Sequence, residues 1–204
     1  MKHSFRIGIF LMASILLSSC TSFFLGLYGM KSPRQLNDKQ LQKEAKRQGI
    51  PIESVFRIDT NYWAYLEKFD STFNVQVKNH SQPLQALYFD HNGQLFRFYV
   101  NCYAGGFPNL KWNRIGGFNQ FPPLPQAPID SMFQLNDISA LITPLSKVKA
   151  DPFGDTSIVV FWNRMMGRQS KRFIRFVKEN AQLSQRAVQI RFVNTDELFL
   201  NALD

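Results

Sequence analysis

Residues 157–162, Ser-Ile-Val-Val-Phe-Trp, are an unbroken apolar run of strand length. A turn over 163–169 follows, and then residues 170–181 place Phe173, Ile174, Phe176, Val177 and Ala181 on one side of a helix. Residues 187–193 return to a strand pattern. A strand, a helix and a strand in this order read as a βαβ unit, so the two strands should be parallel and joined by a right-handed crossover. A parallel pair is normally covered on both faces, so the chain is expected to be α/β.

The rest of the chain supplies further elements for that sheet. Asn37 is a good helix N-cap, Gln40 stands three residues on, and Leu36 and Leu41 are placed as a hydrophobic staple. This predicts a helix to about Gln48, stopped by Gly49 and Pro51. Residues 54–58 read as a strand, 61–69 as a short aromatic helix and 136–142 as a helix stopped at Thr143-Pro144. Residues 84–89 and 95–100 flank Asp90-His91-Asn92-Gly93, whose Asn-Gly pair suits a tight hairpin. Residues 103–130 differ: paired glycines, five prolines and interleaved aromatics predict an irregular insertion. Residues 34–204 are read as a single α/β domain containing this insertion.

The N-terminus belongs to another category. Lys2 and Arg6 precede an apolar run over 7–17, too short to span a bilayer as a helix. The run ends in Leu17-Ser18-Ser19-Cys20, which resembles the lipobox of bacterial lipoproteins. The resemblance implies that residues 1–19 are a signal peptide and that Cys20 carries the lipid anchor. Residues 20–33 are then a tether. Thr21 after the anchor, with no acidic cluster behind it, favours the outer membrane, facing the periplasm. The expected partners are the membrane, through the N-terminal lipid, and a periplasmic protein, a glycan or an anionic lipid. Nucleic acid is not expected. The formal net charge of +9 suits a protein held near an anionic surface.

Cysteine usage limits the chemistry. With Cys20 lipidated, Cys102 is the remaining thiol, so no internal disulfide can form. There is no CxxC and no Cys/His cluster, so neither a metal site nor a cofactor is expected.

Against that background, Phe161-Trp162-Asn163-Arg164-Met165-Met166-Gly167-Arg168-Gln169-Ser170 resembles the active-site turn of the thioredoxin family. There a strand ends in Phe-Trp and a Cys-Gly-Pro-Cys turn opens a helix. Gly167 matches the glycine, Met166 and Gln169 stand in place of the cysteines, and Arg168 replaces the proline. The family also carries a cis-proline before a strand that leads into a hairpin, and Pro83 with the strands at 84–89 and 95–100 is similar to it. Here the hairpin precedes the Phe-Trp strand, whereas in the family it follows. The resemblance therefore implies a rearranged, even circularly permuted, thioredoxin-like mixed sheet. Disulfide exchange needs a thiolate, which neither Met166 nor Gln169 can supply. The implied function is a redox-inactive binding or scaffold module.

Three sets of residues are candidates for activity. The aromatics of the insertion either pin an irregular connection onto the domain or form a contact surface for a glycan or peptide, with Trp112, Asn113 and Arg114 as its contact residues. Arg164, Arg168, Lys171, Arg172, Arg175 and Lys178 recur at three- and four-residue spacing, so several share a helix face. Their positive charge, with the free N–H groups of a helix start, suits a phosphate-bearing lipid headgroup or an anionic glycan. The alternative is a single-cysteine enzyme, peroxidase-like or acyl-transferring, using Cys102.

Overall fold

A computed structural model describes residues 29–69, 74–103, 111–146 and 155–200. Residues 1–19, expected as a signal peptide, Cys20, most of the expected tether and residues 104–110 of the insertion lie outside the described residues.

In chain order the elements are α1 (Asp38–Gln48), β1 (Val55–Ile58), α2 (Asn61–Glu67), α3 (Asn74–His80), β2 (Gln85–Phe89) and β3 (Leu95–Val100). Then come α4 (Leu135–Ala140), β4 (Ile142–Pro144), β5 (Thr156–Trp162), α5 (Gly167–Gln182) and β6 (Val188–Asn194). Short 3₁₀ turns at Ile52–Ser54 and Asp196–Phe199 complete them.

The strands form one six-stranded mixed sheet in the order β3-β2-β5-β6-β1-β4. β5, β6 and β1 run parallel, and the hairpin β2–β3 lies antiparallel against β5. The expected strand–helix–strand unit is therefore present at its centre. The pleat sorts the apolar side chains by parity. Ile158, Val160 and Trp162 join Leu41 and Ala45 of α1 and Phe173, Ile174 and Val177 of α5. Val159 and Phe161 face the other way, onto Tyr62 and Leu66 of α2 and Ile138 of α4. The sheet is thus covered on both faces, as a central strand buried along its whole length requires.

Local signals explain several boundaries. Asn37 and Gln40 close a reciprocal capping box on α1, and Gly49 ends it in the left-handed conformation at φ 75°. In the hairpin, Gly93 has φ 76°, and Asp90 Oδ1 accepts from the backbone N–H groups of Asn92 and Gln94.

Three expectations need correction, and one helix was not foreseen. The helix expected over 136–142 ends at Ala140, and residues 142–144 instead pair antiparallel with β1. Pro144 is tolerated because β4 is an edge strand, where a missing N–H breaks no ladder. α3 was not foreseen, since Val75 and Val77 alternate as in a strand. The bond before Pro83 is trans; the cis bond among the described residues precedes Pro122. Finally, Trp112, a candidate ligand contact, is 4% exposed, with its ring 4.1 Å from that of Phe173. An indole offers more stabilisation packed on a core than left in water.

Candidate functional site

α5 carries Arg168, Lys171, Arg172, Arg175 and Lys178, with Glu179 as its one carboxylate. Phe173, Ile174 and Val177 bury the opposite face of the helix. The cations are therefore driven outward by the same periodicity that builds the core. Two shallow hollows flank them. One, of about 580 Å³, runs between α5 and the C-terminal end of α1, with Gln48, Gly49, Arg168, Lys171, Arg172 and Lys178 around an Ile174 floor. The other, of about 340 Å³, is lined by Lys111, Trp112, Asn113, Arg114, Arg172, Arg175 and Phe176.

The second hollow joins two of the sequence candidates. The insertion is pinned across α5: Trp112 packs on Phe173, and Phe118 on Phe176 at 6.0 Å. Buried Asn180 donates to the Phe118 and Gln120 carbonyls. Asn113 is used internally, accepting from Phe118 N–H at 2.8 Å and donating to Asn119 at 2.7 Å. What remains for a ligand is Arg114, together with Lys111, which sequence reasoning missed. Spacing could have found Lys111, three residues before Arg114 across a turn closed by Arg114 N–H to the Lys111 carbonyl.

These cations are weakly neutralised. Arg175 meets Glu179 at 3.7 Å with both side chains exposed, a pairing that adds little. Lys178 donates to the Gly49 carbonyl at 2.8 Å. Among the described residues, Lys111, Arg114, Lys171 and Arg172 have no carboxylate within ion-pair distance.

The start of α5 is not an open anion site, contrary to expectation. Asn163 Oδ1 takes the Met166 N–H at 2.8 Å, and the Gly167 N–H goes to the Arg164 carbonyl. Residues 29–33 then strap over the turn. Lys31 N–H donates to the Met165 carbonyl at 2.8 Å, and Arg164 donates to the Ser32 carbonyl. The Gly29 carbonyl sits where a Cβ on Gly167 would be. Met166 and Gln169, which the sequence resemblance set in place of redox cysteines, are both buried; Arg168 alone of Met166, Gly167, Arg168 and Gln169 is exposed. Pro83 lies against the same turn, its carbonyl accepting from Asn163 at 3.2 Å.

Beneath the turn is a carboxylate that the sequence did not single out. Asp196 is 1% exposed and accepts from Arg164 N–H at 2.7 Å, Asn194 Nδ2 at 2.9 Å and Met165 N–H at 3.3 Å. Burial pushes its carboxyl above the usual aspartate range, and these donors only partly pull it back. A carboxyl raised on folding contributes stability below its unfolded value and loses it as pH rises through its folded value. We therefore expect the stability margin of the parent over Asp196→Asn to narrow on going from acid to neutral pH, measured by urea unfolding at several pH values. A margin that widens would reverse the assignment.

Cys102 is half-buried with Asn101 Nδ2 at 3.1 Å, and burial pushes its thiol up. That keeps the thiol protonated and works against a nucleophilic thiolate. Neither histidine among the described residues assists it. His80 is fully buried, 3.0 Å from Asp130 and stacked on Phe98, and His91 lies exposed in the hairpin turn. Among the described residues no His/Cys/Asp/Glu group could hold a metal ion, and no helix is long and apolar enough to cross a membrane.

The chain matches no protein-family model, no curated protein and no solved structure.

Proposed function

We propose that this chain is a lipid-anchored binding module of the bacterial cell envelope, held by Cys20 and facing the periplasm from the outer membrane. Its ligand is anionic and is taken on the basic face of α5. The observation that carries this reading is the convergence of Lys111 and Arg114 from the insertion with Arg172 and Arg175 from α5 around one hollow. Arg168, Lys171 and Lys178 extend the same positive face along the helix.

The scaffold is read as a rearranged thioredoxin-like domain without redox chemistry. Supporting this are the Phe161-Trp162 end of β5, the parallel β5–α5–β6 unit, and a hairpin that starts beyond Pro83 and lies antiparallel to β5. The Pro83 carbonyl is bonded to Asn163 in the turn where the redox pair would stand. With Met166 and Gln169 buried at those two positions, the surface left for function is the exposed side of α5, on which Arg168 lies.

The test is binding of tripolyphosphate, a soluble multivalent anion, by the full chain in detergent micelles, followed by calorimetry. Arg168→Gln/Arg172→Gln is expected to weaken it by about tenfold, as is a rise from 0.1 to 1 M salt. Binding unmoved by either change sinks the reading.

A further inference from the structure

The basic face has a neighbour that its charge does not explain. Ile115 is 81% exposed, far more than the other large apolar side chains left in water among the described residues. It stands at the tip of the turns formed by residues 111–119, next to Arg114 and one residue before Gly116, whose φ is 71°. Both sides of this tip are fixed to α5 through Trp112 and Phe118. The exposure of Ile115 thus belongs to a rigid projection built on the basic helix.

An exposed apolar side chain that follows Arg114, in turns pinned beside the basic hollow, suits one kind of surface. A soluble anion would meet Lys111, Arg114, Arg172 and Arg175 and leave Ile115 in water. An anionic bilayer meets both, because its headgroups pair with the cations while its acyl boundary receives the apolar side chain. The course of the chain agrees. The described chain begins at Gly29, where an added Cβ would touch the Arg168 side chain at 3.1 Å. Cys20 lies no more than about 30 Å of extended chain from that point. An anchor at Cys20 therefore keeps the basic face within one tether length of the membrane.

Resting on the proposed anion-binding face, we infer that its occupant is the anionic lipid surface itself, with Ile115 entering the acyl boundary and Lys111, Arg114, Lys171 and Arg172 on the headgroups. The lipid anchor and this face then make two contacts with one membrane, which hold the domain in a single orientation. The two-contact arrangement also raises the effective concentration of the weaker contact.

The experiment places a polarity-sensitive fluorophore at Ile115→Cys in a Cys102→Ser background of the full chain, reconstituted into vesicles. The unlabelled-site parent, Cys102→Ser alone, is the blank. Because the anchor holds the protein on any vesicle, the fluorophore reports docking of the face and not attachment. In vesicles containing phosphatidylglycerol we expect emission shifted to the blue and strongly quenched by brominated acyl chains. In pure phosphatidylcholine, at 1 M salt, or with Lys111→Gln/Arg114→Gln added, the label should return to water. A label at Ile129→Cys should stay in water throughout, since Ile129 lines a hollow with Phe133 of the opposite core.

A label at 115 that remains aqueous on anionic vesicles overturns the inference, as does equal burial on neutral vesicles or equal burial at 129. Tripolyphosphate binding separates the two levels. If it persists while the label stays wet, membrane docking alone fails; if it is lost as well, the anion-binding reading falls with it.

Discussion

Trp112→Ala is expected to lower the stability of the domain by about 3–5 kcal/mol, the usual range for removing a buried tryptophan. Trp112→Phe should lower it by no more than about 1.5 kcal/mol, because an aromatic ring against Phe173 is kept. The indole nitrogen strengthens this contrast. It is buried, and among the described residues it has no hydrogen-bond partner, so phenylalanine removes an unsatisfied donor along with some volume. Urea unfolding of the three proteins measures both differences. Trp112 also fixes the insertion to α5, so Trp112→Ala should loosen Lys111 and Arg114 from the face they share with Arg172 and Arg175. Anion binding would then fall, but as a consequence of lost packing. The opposite pattern, full stability with lost binding in Trp112→Ala, would make Trp112 a ligand contact and not a core residue.

The same residue shows where sequence reading stops. A tryptophan in a glycine- and proline-rich segment looks alike whether it anchors the segment or greets a ligand. Only the position of Phe173 beneath it decides, and that depends on a helix some sixty residues away. What was legible rests on short-range rules. The β5–α5–β6 unit is written in apolar periodicity, and the α1 capping box and the Gly93 turn in local backbone chemistry. What was not legible rests on tertiary contacts. The α3 sequence alternates Val75 and Val77 like a strand, yet it folds as a helix whose last residue, His80, is fully buried against Phe98 and paired with Asp130. β4 looks like a helix stop because Pro144 ends a helix as readily as it occupies a sheet edge. The basic face of α5 was visible as a spacing of cations. That its helix start would be closed was invisible, because the closing strap lies more than a hundred residues earlier in the chain.

Gly167→Ala tests that strap. Gly167 has φ 45°, in the left-handed region that side chains avoid, and its Cα faces the Gly29 carbonyl so closely that any Cβ must displace it. In the thioredoxin-like reading this glycine is a relic of a redox turn, but the packing gives it a present role. Alanine would have to carry backbone strain and also push residues 29–33 off the turn, releasing the bonds from Lys31 to Met165 and from Arg164 to Ser32. We expect a loss of about 2–4 kcal/mol, together with faster proteolysis near Lys31 and Arg34. The second readout matters because strain alone would lower stability and leave the strap in place. It also bears on orientation, since the strap holds the first described residues after Cys20. If the variant docks its Ile115 label on anionic vesicles as the parent does, the basic face sets the orientation unaided. If docking weakens while tripolyphosphate binding holds, the strap positions the anchor relative to the face, and the glycine is kept for that alignment.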